Sequence, residues 1–144
     1  MKTLLLLLAI APAALAQCET VSTLSCPMSV IGASLSTSDC AAFDGSRFDV
    51  WKFSGTSGQT ITIEMSSTSF HPLLMLIDPS GKPVVQNAHV LTTSTDSRLT
   101  YTLGATGTWT VIANSVGTSG TGSYVLTADL GCPATGPKQR GARR

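Results

Sequence analysis

The sequence predicts an all-β domain, an antiparallel β-sandwich or jelly roll of about eight strands. Apolar residues alternate with polar ones in most of its segments, as in strands with one buried face. Turn segments rich in glycine, proline and serine separate them at intervals of roughly ten residues. No segment shows the spacing of an amphipathic helix.

The clearest alternation lies in residues 47–65, RFDVWKFSGTSGQTITIEM. Its first segment places Asp49, Trp51 and Phe53 on one face, with Phe48 on the other. Its second segment alternates Ile61, Ile63 and Met65 with polar residues. The glycine-containing turn between these two segments ends the first strand and begins the second.

The remaining strands follow the same pattern. Residues 72–78, PLLMLID, form a continuous apolar run that predicts a strand buried at the centre of the sandwich. Further strands are expected near residues 28–36, 82–87, 98–103, 108–116 and 122–130, with a polar loop at 88–96. The aromatic residues on the inward phase, which we expect in the core, are Trp51, Phe53, Tyr101, Trp109 and Tyr124.

The two ends of the chain differ from this central domain. Residues 1–16 combine a basic start, a short apolar run and the small-residue sequence Ala14-Leu15-Ala16, which predicts a secretory signal peptide. The alternative, acylation of Cys18, is disfavoured because Gln17 before it is not small. We therefore expect a secreted or periplasmic domain at 17–132 and a disordered basic tail at 133–144.

The four cysteines predict two disulfides in an exported chain, with three possible pairings. If the first strand lies antiparallel to the last, Cys26 lies beside Cys132, which leaves Cys18 to pair with Cys40. A zinc site is the alternative interpretation of the cysteines. It is disfavoured because the sequence contains no CxxC pair.

Charge excludes some classes of partner. Without Lys2 the chain has eight basic and eight acidic residues, so no basic face is expected for nucleic acid or an anionic membrane. The apolar run at residues 4–10 is shorter than the ~20 residues that a membrane span needs. We expect a soluble monomer.

The order and spacing of these segments resemble the bacterial pre-peptidase C-terminal (PPC) domain. The matching segments are GASLSTSDC, RFDVWKFSGTSGQTITIEM, PLLMLIDPSGKPV, RLTYTL, GTWTVIAN and GSYVLTADL, within residues 26–131. The resemblance implies a fold like that of carbohydrate-binding modules. It also implies an accessory role beside secreted peptidases or other exported hydrolases, with calcium or an insoluble substrate as a ligand of some members.

The sequence departs from this family where carboxylates are common. His71, Ala88 and His89 occupy positions that are usually acidic in the family. Calcium needs six to eight oxygen ligands, so their loss argues against a calcium site there. We expect no cofactor, with calcium as the lesser alternative.

Three residues are weak metal candidates: His71, His89 and Asp49. If the two histidine loops meet, two imidazoles could bind zinc or copper. The simpler interpretation is that both histidines are exposed loop residues, since no free cysteine remains to complete a closed zinc site.

The sequence predicts no enzyme. It has no G-x-S-x-G motif, and Asp49 and Glu64 lie on opposite strand phases relative to the apolar residues around them. We expect a non-catalytic accessory module that binds a polymer, polysaccharide or protein, with a purely structural module as the alternative. The candidate ligand-contacting residues are the aromatics outside the inward phase, Phe43, Phe48 and Phe70, which we expect to form an exposed platform. The alternative is that they cap the edges of the sandwich.

Overall fold

The computed structural model describes residues 18–88, 96–118 and 120–132, and every regular element in these ranges is a β-strand. The strands are β1 (Thr20–Thr23), β2 (Met28–Leu35), β3 (Cys40–Ala41), β4 (Arg47–Gly55), β5 (Thr60–Ser66), β6 (Pro72–Ile77), β7 (Pro83–Ala88), β8 (Asp96–Thr102), β9 (Gly107–Ser115) and β10 (Gly122–Asp129). The all-β prediction is confirmed. The short β1 and β3 are additional to the eight predicted strands.

The predicted signal peptide (1–16), the basic tail (133–144) and His89 lie outside the described residues. Within the described ranges, no helix is long and apolar enough to cross a membrane.

The strands form two sheets. One has the order β1-β4-β9-β6-β7, with β3 also paired to β4, and the other has the order β2-β10-β5-β8. The first and last long strands, β2 and β10, pair antiparallel along their whole length, which is the arrangement assumed in ranking the cysteine pairs. β4 and β5 are consecutive, yet they lie in different sheets, because the turn between them crosses from one layer of the sandwich to the other.

The main core lies between the two sheets. Four of the five predicted core aromatics, Trp51, Phe53, Trp109 and Tyr124, are at most 2% exposed. Tyr101, the fifth, is half-buried and packs against the same cluster. Period-two alternation therefore identified the inward faces of the strands that carry these aromatics.

A second apolar cluster lies on the outward face of the larger sheet. We call this the outer cluster; its buried members are Phe48, Val50, Leu73, Met75, Ile77 and Ile112. The prediction that Phe48 belongs to an exposed platform is wrong, since Phe48 is 1% exposed. Phe48 does lie on the face opposite to Trp51, as the alternation predicts. However, the outward face of this sheet is itself apolar, and Phe48 packs within the outer cluster.

The two disulfides join the pairs ranked first from the strand order. Cys26 is bonded to Cys132, and Cys18 is bonded to Cys40. The first bond follows from the β2–β10 pairing, which places the residues before β2 beside those after β10. The second ties the segment before β1 to β3.

Candidate functional site

A tight turn between β3 and β4 presents Phe43, whose side chain is 86% exposed. The Ala42 amide donates to the Ser46 carbonyl (2.8 Å), and the Gly45 amide donates to the Ala42 carbonyl (2.9 Å). The Asp44 carboxylate accepts from the Ser46 amide (3.0 Å) and hydroxyl (2.6 Å). Gly45 adopts a positive φ of 89°, which favours glycine. The turn thus holds a large apolar side chain in solvent on a fixed backbone.

Beside this turn, an acidic cavity of about 370 Å³ lies where β1 and the residues before β3 meet β4. Its lining includes the acidic residues Glu19, Asp39 and Asp49. The guanidinium of Arg47 donates to the Asp39 carbonyl at 3.0 Å. Three of the residues that line the cavity are therefore acidic, and none is basic.

Asp49 belongs to a buried hydrogen-bonded chain that crosses the core. The indole N–H of Trp51 donates to the Tyr124 hydroxyl (3.0 Å), and that hydroxyl donates to Asp49 Oδ2 (2.6 Å). Burial raises the pKa of the Asp49 carboxyl, while the hydrogen bond from Tyr124 lowers it. Burial and the neighbouring carboxylate of Asp49 raise the pKa of the Tyr124 phenol, so the hydroxyl stays protonated and donates.

We expect the Asp49→Asn variant to have a flatter pH dependence of stability. Because the folded-state pKa of Asp49 lies above its ordinary value of 3.8, the folded chain binds more protons than the unfolded chain between these two values. The free energy of unfolding therefore falls as pH rises through that window, and Asn removes this fall while still accepting from Tyr124. Urea unfolding from pH 3.5 to 7 measures it.

Asp78 supplies the matched control for this prediction. Hydrogen bonds from the Ser80 hydroxyl and the Lys82 amide lower its pKa, so its stabilising contribution is present at neutral pH and is lost as pH falls. Asp78→Asn should thus change the pH dependence of the free energy of unfolding in the opposite direction. If this pH dependence is the same in the wild type and in Asp49→Asn, the raised folded-state pKa of Asp49 is contradicted.

A second cavity of about 460 Å³ lies at the ends of β5 and β10, and sequence reasoning missed it. Its lining includes the hydroxyl residues Ser66, Ser67, Thr68 and Ser123. Ser67 is anchored by donating its hydroxyl to the Ser123 carbonyl at 2.7 Å. These residues come from distant parts of the chain, so no local motif marks them.

The other predicted site residues do not converge with Phe43. Phe70 was expected to be exposed, and this is wrong: it is 8% exposed and packs edge-to-face on Tyr124, because the β5–β6 connection turns it into the core. His71 is exposed next to β6, whereas Asp49 is 7% exposed and bonded to Tyr124. Within the described ranges, no three His, Cys, Asp or Glu side chains form a group that could hold a metal ion.

Comparison with known proteins identifies the fold family. Residues 47–115 match the family model of the bacterial pre-peptidase C-terminal domain. The pre-peptidase C-terminal domain of a Bacillus anthracis collagenase has a similar structure, with a TM-score of 0.53 and 16% sequence identity. The match covers 76% of this chain and 96% of that one. No curated protein sequence matched the chain.

Two further solved structures share the architecture at low identity. PliG of Aeromonas hydrophila, a periplasmic inhibitor of g-type lysozyme, aligns with a TM-score of 0.53 and 13% identity over 76% of this chain and 96% of that one. CorA of Methylomicrobium album BG8, a surface-associated copper-binding protein, aligns with a TM-score of 0.54 and 7% identity over 79% and 98%. Over its central strands, β4 to β9, the chain matches the bacterial pre-peptidase C-terminal domain family.

Proposed function

We propose that this chain is an exported, non-catalytic accessory module that binds a polymeric partner, protein or polysaccharide, through the Phe43 turn. The observation that carries the proposal is the 86% exposure of Phe43 on a turn closed by its own hydrogen bonds. The turn fixes the backbone that carries the ring, and an exposed aromatic ring can stack on a sugar ring or enter an apolar pocket of a protein.

Export is supported by the two disulfides, since such bonds persist in oxidising compartments. The fold neighbours agree with this location, because one is periplasmic and another is surface-associated. A protein partner is in line with the PliG structures, which are lysozyme inhibitors.

A non-catalytic role is supported by where the chemically useful side chains lie. Asp49 is bonded to a phenol inside the core, and Glu64 pairs with Arg98 (3.3 Å) on the outward face of the smaller sheet. His71 lies on the surface beside β6. General acid–base chemistry requires such groups to converge on one substrate, and these do not.

Co-sedimentation tests the proposal. The oxidised protein is mixed with cellulose, chitin, peptidoglycan or insoluble collagen, each with calcium and with EDTA. We expect selective pelleting with one polymer and at least a tenfold weaker association for Phe43→Ala, about the 1.4 kcal/mol expected from an interface anchor.

Val125→Ala is the matched control, since Val125 is also exposed (42%) but lies on β10, in the other sheet. It should pellet like the wild type. Pelleting that Phe43→Ala leaves unchanged would contradict the role of the turn. Absence of pelleting with every polymer would favour the structural alternative, a module without a ligand.

A further inference from the structure

Four of the five sheet-edge strands carry features that hinder pairing with another chain, and one of these is β3, which has only two residues. Edge strands present unpaired backbone N–H and C=O groups, and proteins commonly protect them with charges, proline, irregularity or short length. β1 has four residues and an irregular register, and β7 begins at Pro83, directly after Lys82. β8 carries Asp96 and Arg98.

The remaining edge strand, β2, has none of these features. Its eight residues, MSVIGASL, contain no charge and no proline, and they pair with β10 without a register shift. Met28 and Val30 point outward and are 55% and 66% exposed. No strand of the described ranges pairs with the other side of β2, which we call the β2 edge.

The core is also incompletely closed along the β2 edge. Ile31 and Ala33 face the main cluster but stay half-buried, whereas their partners on β10, Leu126 and Tyr124, are 0% and 2% exposed. A further strand beside β2 would cover this side of the core.

Gly32 gives the same indication. Glycine inside a strand weakens it and often marks a bulge or the close approach of another backbone. The β2–β10 register contains no bulge, and a Cβ added at Gly32 would meet nothing within 4 Å. The space beside Gly32 is therefore open to a side chain from an added strand.

We propose that the β2 edge is the interface of a homodimer in which β2 of a second copy pairs antiparallel with it. The two four-stranded sheets then become one continuous sheet. Successive side chains on a strand point to opposite faces. To keep the outward side chains of both copies on one face, the two-fold axis must lie midway between one residue and the same residue of the second copy. An axis at Ile31 sets this side chain against Ile31 of the second copy and closes both cores.

This register places Val30 beside Gly32 of the second copy, where the open space accommodates it. Because β2 is uncharged, the two copies oppose no like charges along the pairing. The side-chain alternation and the lack of charge on β2 are therefore both compatible with a second copy at the β2 edge. In this proposal the chain is a dimer, whereas the sequence predicts a monomer.

Sedimentation equilibrium of the oxidised chain tests the proposal. The wild-type mass should rise from one to two chains with concentration. Val30→Lys, which places a charge opposite the second copy, should stay monomeric at every concentration. Thr100→Lys is the matched control on the protected edge strand β8, and it should dimerise like the wild type. Circular dichroism checks that both variants keep the wild-type fold.

Hydrogen exchange supplies a second readout. Backbone amides of β2 that do not face β10 should become protected as concentration rises, while those at the free edge of β8 should not change. A wild-type chain that stays monomeric throughout would overturn the proposal and leave the β2 edge to a strand of another protein. A dimer that survives in Val30→Lys would overturn it as well, because the interface would then lie elsewhere.

Discussion

Replacing both Cys26 and Cys132 with serine is expected to lower the free energy of unfolding by about 4.8 kcal/mol, from the chain entropy of the loop that the bond closes. The two cysteines are 106 residues apart in sequence, so the bond restricts most of the unfolded chain. The loss is a large share of the ~5–15 kcal/mol that stabilises a typical domain. Urea unfolding of oxidised wild type and the double variant measures it.

The second disulfide provides the internal control. Cys18 and Cys40 are separated by 22 residues, so the same relation gives about 3.4 kcal/mol for their double serine variant. The test is which double serine variant loses more free energy of unfolding. If removing the Cys18–Cys40 bond costs as much as removing the Cys26–Cys132 bond, loop entropy is not the main source of their stabilisation.

The Trp109→Ala variant is expected to lose about 3–5 kcal/mol of stability, the usual cost of deleting a buried large aromatic side chain. Trp109 is 1% exposed and stacks on Phe53 with ring centroids 6.5 Å apart. Its indole N–H donates to the Ala105 carbonyl at 3.1 Å. The backbone of Gly55 lies against the ring, since a Cβ added there would be 2.8 Å from Trp109 Cδ1. Thermal and urea unfolding measure the loss.

Trp109→Phe separates packing from hydrogen bonding. It keeps most of the apolar contact with Phe53 but leaves the Ala105 carbonyl without its donor, so we expect a loss of about 1–3 kcal/mol. Phe43→Ala, at a site that is 86% exposed, should change stability by less than about 0.5 kcal/mol. A Trp109→Ala variant as stable as Phe43→Ala would contradict the packing described here.

Local sequence pattern was sufficient to predict the eight longer strands and the inward faces of those with period-two alternation. The alternation of residues 47–65 identified Trp51 and Phe53 as core residues, because side chains on a strand change face at every residue. The pairing of Cys26 with Cys132 followed from one topological assumption, that the first and last long strands are antiparallel neighbours.

Two features were missed in the sequence, the burial of Phe48 and the second cavity. Both depend on strand order, which the local pattern does not contain. Val50, Ile112 and Met75 lie in one row across β4, β9 and β6. The outer cluster that buries Phe48 becomes visible only when these three strands are known to be neighbours. The hydroxyl-lined cavity depends on topology for the same reason, since it joins residues 66–68 to residue 123.

The connectivity of the two disulfides has a mechanical consequence. Tension applied between a segment preceding Cys18 and one following Cys132 passes along residues 18–26 and then through the Cys26–Cys132 bond. This covalent path bypasses the loop from residue 27 to residue 131, which holds every strand except β1. Fully extended, it spans only about 30 Å. Under load the Cys26–Cys132 bond limits how far the domain can extend. Pulling can detach β1 from β4, and the Cys18–Cys40 bond passes part of the load to β3.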